Sequence, residues 1–211
     1  MKNISKRYEN KIILDNICLD IFEGEILGLS GSNGAGKTTL LKIMGNLLTQ
    51  DAGEIIYSKK IQTEMLLEGS RNFYWNLTGY ENLIYFSTIF GIKNKREISK
   101  RIIKLLNLED FINELSGSYS RGMQQKLSLG ISLLNNPDLL LMDEPTNGLD
   151  EDSVKHLTSV LHKLNKEWNI TIIIVSHDRN FLHNTIHREV LLENRILSPI
   201  HKSVATIGSI R

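Results

Sequence analysis

Hydrophobic positions along this chain fall into three stretches with different spacing. In the first, residues 4–8 and 11–21 read as two strands joined by a turn at Glu9-Asn10, with a second turn at Glu23-Gly24. Residues 25–30 form a short buried strand that runs straight into a glycine-rich loop, and a helix is expected over residues 37–48. Asp51-Ala52-Gly53 is a turn signal, followed by a strand over residues 54–57. The middle stretch, residues 69–136, takes helical spacing. Residues 80–90 are an apolar helical segment closed by Gly91. Residues 96–108 place Ile98, Ile102, Leu105 and Leu106 on one face and Lys100, Arg101 and Lys104 elsewhere. The basic run 93–104 is read as a solvated helix face, supported by a Glu97/Arg101 pair one turn apart. No strand is expected there. After Asn135-Asn136-Pro137, unbroken apolar runs return at 139–142 and 171–175, as in strands buried on both faces of a parallel sheet. A helix over residues 153–168 separates them.

The pattern predicts an α/β fold with a mainly parallel sheet, a small antiparallel β edge and an inserted helical subdomain. A single domain would span residues 1–211, with a core from 1–68 and 137–211 and the helical subdomain at 69–136. Hydrophobic residues make up 41% and charged residues 23% of the chain, enough apolar material for a proper core. Lysine and arginine number 25 against 24 acidic residues, which speaks against a dedicated nucleic-acid binder. The apolar runs are far too short to span a bilayer, and residues 1–7 have no apolar signal core. A membrane would have to enter through another polypeptide. The lone cysteine, Cys18, lies in an apolar stretch and is read as reduced, cytosolic and structural.

Gly31-Ser32-Asn33-Gly34-Ala35-Gly36-Lys37-Thr38 fits the phosphate-loop pattern, between a predicted strand and a predicted helix. Glycines let successive N–H groups turn inward around phosphates, and the start of the next helix adds positive field. Lys37 would reach the β- and γ-phosphates, and Thr38 would give a hydroxyl to Mg²⁺. This makes the core that of a phosphate-loop NTPase, a class shared by kinases, GTPases and motor ATPases.

Residues 139–144 are an apolar strand ending in Asp143 and Glu144, delivered to the carboxyl edge where open α/β sheets bind ligands. Asp143 suits the Mg²⁺ role and Glu144 the general-base role. An acidic loop start is common alone; its order after the phosphate loop gives it weight. His177, just past the second buried strand, reaches the same edge and suits a contact to the γ-phosphate or to Glu144. Ser120 opens a helix whose apolar positions Leu127, Ile131 and Leu134 face one way, so its hydroxyl and the free N–H groups can hold an anion. In isolation it would be an ordinary helix cap.

Residues 31–39, Tyr119-Ser120-Arg121-Gly122-Met123, residues 139–146, Asn147-Gly148-Leu149-Asp150 and Ser176-His177 resemble the ABC ATPase motif series, in order, over nearly the whole chain. The resemblance implies that Ser120 and Gly122 cap a nucleotide held by a second subunit, with Arg121 and Met123 replacing a glycine and the signature glutamine. It implies that Thr39 extends the phosphate loop, that Tyr8 stacks on adenine, and that Asp150 makes a dimer contact. Glu68 falls where the family has a glutamine that senses Mg²⁺. The family has a few more residues ahead of the Tyr8 strand, so either strand one is short or the chain start is late.

The resemblance further implies ATP and Mg²⁺ as ligands, a dimer with a second copy, and a separate transmembrane permease. No nucleic acid is expected. The protein would be cytoplasmic, held on the inner face of the cell membrane through the permease. Leu77-Thr78, Glu81-Asn82-Leu83 and the altered signature resemble bacterial exporters of drugs, antibiotics and peptides. The rival readings are an ABC ATPase not coupled to transport and a nucleotide-switched binding module that turns over poorly.

Overall fold

The computed structural model describes residues 1–67, 69 and 72–200, so the expectation for Glu68 lies outside the described residues. Along the chain, β1 (Lys2–Tyr8) and β2 (Lys11–Ile17) form a hairpin, and β3 (Ile26–Ser30) leads through the glycine-rich loop into α1 (Lys37–Met44). Next come β4 (Ala52–Glu54), β5 (Thr63–Leu66) and the helices α2 (Gly79–Ile89), α3 (Lys95–Leu106) and α4 (Arg121–Leu133). They are followed by β6 (Leu139–Asp143), α5 (Glu151–Trp168), β7 (Thr171–Val175), α6 (Arg179–Thr185), β8 (Arg188–Glu193) and β9 (Ile196–Ile200).

Among the described residues the strands form two sheets. One is antiparallel, in the order β2-β1-β4; the other runs β5-β6-β7-β3-β8-β9 and is parallel except for its last pair. β3, β6 and β7 are buried along their whole length because both faces are covered. Alternate residues serve the two faces. Leu140, Met142, Ile172 and Ile174 pack with the apolar sides of α2 to α6. Leu141, Ile173 and Val175 pack with α1 and with Ile4, Leu14 and Ile17 of the small sheet. Burying one such side chain stabilises the fold by about 1.5–3 kcal/mol, so these runs settle the sheet order. Parallel register places Asp143 level with Val175, and Val175 level with Leu29. The next residues of three strands therefore emerge on one edge.

Several boundaries differ from the sequence expectation. β2 ends at Ile17 rather than residue 21, because β1 begins at Lys2 and leaves no longer partner. α1 stops at Met44, where Gly45 caps it and Asn46 turns left-handed at φ 57°. The strand expected at 54–57 lies instead at Ala52–Glu54, where β1 supplies its partners, and Ile56 and Tyr57 are exposed. β5, α6, β8 and β9 were not anticipated. Arg101 does not pair with Glu97; its guanidinium lies 4.1 Å from the centre of the Trp168 ring. Cys18 is exposed, and its thiol exchanges hydrogen bonds with Asn3.

Candidate active site

Gly36 closes the loop at φ 105°, a backbone state that side chains resist. There a Cβ would also come within 3.0 Å of Ile13 and Leu14 of β2. The loop is thus clamped under the small sheet. α1 then starts without a side-chain cap, whereas Ser120, Asp150 and Asp178 cap α4, α5 and α6. Its first N–H groups remain available to an anion, in the field of the helix N-terminus. Lys37 Nζ donates to the carbonyls of Gly31 at 2.8 Å and Ser32 at 3.0 Å, two of its three donors. Burial pushes the Lys37 ammonium below its usual pKa, against the pull of Glu144 and Asp143.

Thr38 Oγ1 donates to Asp143 Oδ2 at 2.8 Å, which ties α1 to the end of β6. Glu144 follows in a left-handed conformation, φ 49°, its N–H bonded to Val175 O at 2.8 Å. A non-glycine residue held there costs on the order of 1–3 kcal/mol and marks functional positions. His177 N donates to Glu144 Oε2 at 3.1 Å. His177 Nε2 lies 3.1 Å from Glu144 Oε1, an ion-pair contact when the imidazole is protonated, and the buried Oε1 makes no hydrogen bond. Such an atom calls for a ligand or water. Burial raises the Glu144 pKa first of all; Asp143 adds to the rise, and His177 and Lys37 oppose it. The Glu144 side chain is 8% exposed and that of His177 52%, so the imidazole forms the open wall.

These groups border a cavity of about 410 Å³, which takes in Asn33, Gly34, Gly36, Lys37, Thr38 and Thr39 with Asp143, Glu144 and His177. Ser32 and Gly31 border a second cavity across the loop, together with His177; Ala35 packs against the core that α1 shares with the two sheets. Lys11 and Ile13 also line the main cavity. The sequence reading missed them, although Lys11 is the hairpin partner of Tyr8. Tyr8 does not line the cavity; its ring is exposed beside it on the hairpin, with the Lys6 ammonium 5.9 Å away. Ser120, Gly122 and Asp150 are also outside it. Ser120 Oγ accepts from Met123 N at 3.3 Å, and Asp150 Oδ1 from Ser153 N at 2.8 Å. Those bonds from Ser153 hold the exposed Asp150 carboxyl below its usual pKa.

Among the described residues no three His, Cys, Asp or Glu side chains form a metal cage. Mg²⁺ on a nucleotide needs none: one hydroxyl, one carboxylate, phosphate oxygens and water suffice. The Thr38–Asp143 pair is an all-oxygen set of that kind.

An uncapped helix behind a glycine-rich loop, beside a strand that ends in Asp143 with Glu144 following, defines a phosphate-loop NTPase. Residues 14–147 match the family described as ABC transporter. The chain is 35% identical over 208 residues to the bacitracin transport ATP-binding protein BcrA of Bacillus licheniformis, covering 94% of this chain and 68% of that protein. It is 33% identical over 186 residues to the lantibiotic transport ATP-binding protein SrtF of Streptococcus pyogenes, covering 84% and 79%. Against an ABC transporter ATP-binding protein of Bacillus subtilis it spans only 59% of that relative's length. The dimeric post-hydrolysis structure of the ATP-binding cassette MJ0796, bound to ADP and Pi, superposes with a TM-score of 0.82 at 27% identity, over 95% of this chain and 97% of that one. The chain belongs to the ABC transporter family, as an ATP-binding and ATP-hydrolysing subunit. No helix among the described residues is long and apolar enough to cross a membrane.

Proposed function

We propose that two copies of this chain bind MgATP between them and drive a separate permease that exports a peptide antibiotic, drug or related compound from the cytoplasm. The bacitracin and lantibiotic transport proteins among its relatives support that substrate class. The phosphate loop and the Lys37 ammonium hold the phosphates. Thr38 and Asp143 would hold Mg²⁺, which supplies charge neutralisation of the β- and γ-oxygens. Glu144 takes a proton from the attacking water through Oε1, which makes no hydrogen bond, with the His177 N–H fixing the other carboxylate oxygen. Ser120 and Gly122 face the γ-phosphate of the second copy, Asp150 lies at the contact between copies, and Tyr8 stacks on the adenine.

The observation that carries the transport reading is an exposed aromatic surface on the helical lobe. Tyr74 is 50% exposed, Trp75 43% and Tyr85 40%, yet the backbone beneath them is fixed. Asn82, fully buried, accepts from Tyr74 N at 2.7 Å and donates to Tyr74 O at 3.0 Å. A rigid apolar patch of this kind fits a protein partner, here a cytoplasmic helix of the permease. Co-expression with the adjacent multi-span protein should bring the chain to the membrane fraction, and Trp75→Glu should release it. Undiminished recruitment of that variant would place the docking site elsewhere.

A further inference from the structure

Arg121 is the first residue of α4, immediately after the Ser120 cap. Its side chain folds back over the turn ahead of α5. A Cβ built on Gly148 would fall 2.5 Å from Arg121 Nη1, 2.9 Å from its Cδ and 3.4 Å from its Cζ. Gly148 has φ 75° and leads through Leu149 into Asp150, the cap of α5. A second close approach lies one residue along α4, where a Cβ on Gly122 would fall 3.1 Å from Ser153 Oγ and 3.8 Å from Leu149 Cδ2. The starts of α4 and α5 therefore meet through two residues without side chains, and the arginine covers the joint. Neither Arg121 nor Gly148 lines the cavity around Lys37.

We infer that Arg121 is a positioning residue that fixes the 147–150 turn against the start of α4, so that Ser120 and Asp150 reach a second copy as one rigid unit. This rests on the two-copy reading of the ATP site. Elements already fixed relative to one another lose less freedom on association, which strengthens the complex without adding a contact to the partner. A planar guanidinium can lie flat across a glycine turn; a lysine ammonium on a flexible stem cannot.

The test uses the full chain carrying Glu144→Gln, with the MgATP-dependent dimer measured by sedimentation. Arg121→Ala should weaken dimerisation about tenfold, and Gly148→Ala at least as much, because a side chain there both displaces the guanidinium and strains a backbone at φ 75°. ATP affinity of the monomer and its melting temperature should not change with Arg121→Ala. The Arg121→Ala/Gly148→Ala pair should be no weaker than the worse single variant, since the guanidinium that Gly148→Ala displaces is then already absent. Where Gly148→Ala does not fold, Arg121→Lys decides: the inference expects dimerisation close to that of Arg121→Ala. Full recovery by lysine would reduce Arg121 to a surface charge and overturn the inference, as would additive losses or an Arg121→Ala dimer as tight as its parent. Failure of the Glu144→Gln parent to dimerise with ATP overturns the two-copy reading itself; a dimer indifferent to Arg121 overturns this inference alone.

Discussion

Glu144 stands under opposing demands. As the proposed general base it must be ionised to take a proton, yet it is buried and left-handed, and its Oε1 makes no hydrogen bond. Its pKa is raised, so the folded protein holds this proton more tightly than the unfolded chain does. Stability from that difference is present below the ordinary glutamate range and is lost as pH rises through the folded-state pKa. Glu144→Gln should therefore have a higher urea midpoint than the parent at neutral pH, and the gap should close in mild acid. A gap that widens in acid would reverse the sign. The same shift moves the acid limb of ATP hydrolysis above the usual glutamate range, because only the carboxylate is a base. In Glu144→Gln the rate should drop on the order of 10²–10⁴-fold. Tyr8→Ala should weaken ATP binding by about 1 kcal/mol through lost stacking, with GTP affected alike. Titration calorimetry checks this, and an unchanged affinity would assign the ring to packing.

At the scale of elements, the buried strands were legible because both faces are apolar, as in Ile172-Ile173-Ile174, and the loop because its glycines, lysine and threonine keep a fixed spacing. β5 was not, since Thr63-Glu64-Met65-Leu66 has one fully buried residue and owes its strand to pairing with β6. β9 contains Pro199 and lies on the sheet edge, where a missing N–H is tolerated. In the candidate site the types were legible and the contacts were not. No spacing shows that Lys11 and Ile13 wall the cavity, or that Ser120 lies outside it. Asn82 was noted only as part of a motif, yet it holds Tyr74, Leu77, Thr78 and Ser116 together. Asn82→Ala strands those buried groups and should lower unfolding stability by about 1–3 kcal/mol. Chemical denaturation measures this. Membrane recruitment should fall with it, since the aromatic patch loses its anchor; full recruitment would separate the patch from Asn82.

For the whole molecule, one sheet edge gathers the glycine-rich loop, the Thr38–Asp143 pair and Glu144, while Ser120 at the start of α4 lies outside that cavity. On the two-copy reading proposed above, a single copy carries half of two sites. ATP would join the copies, and loss of the γ-phosphate would let them part. Size-exclusion chromatography of Glu144→Gln with MgATP tests this most directly. The account predicts a dimer that forms only with ATP, and that adding Ser120→Arg returns the protein to a monomer that still binds ATP on its own loop. A double variant that dimerises with ATP as well as Glu144→Gln does would contradict it.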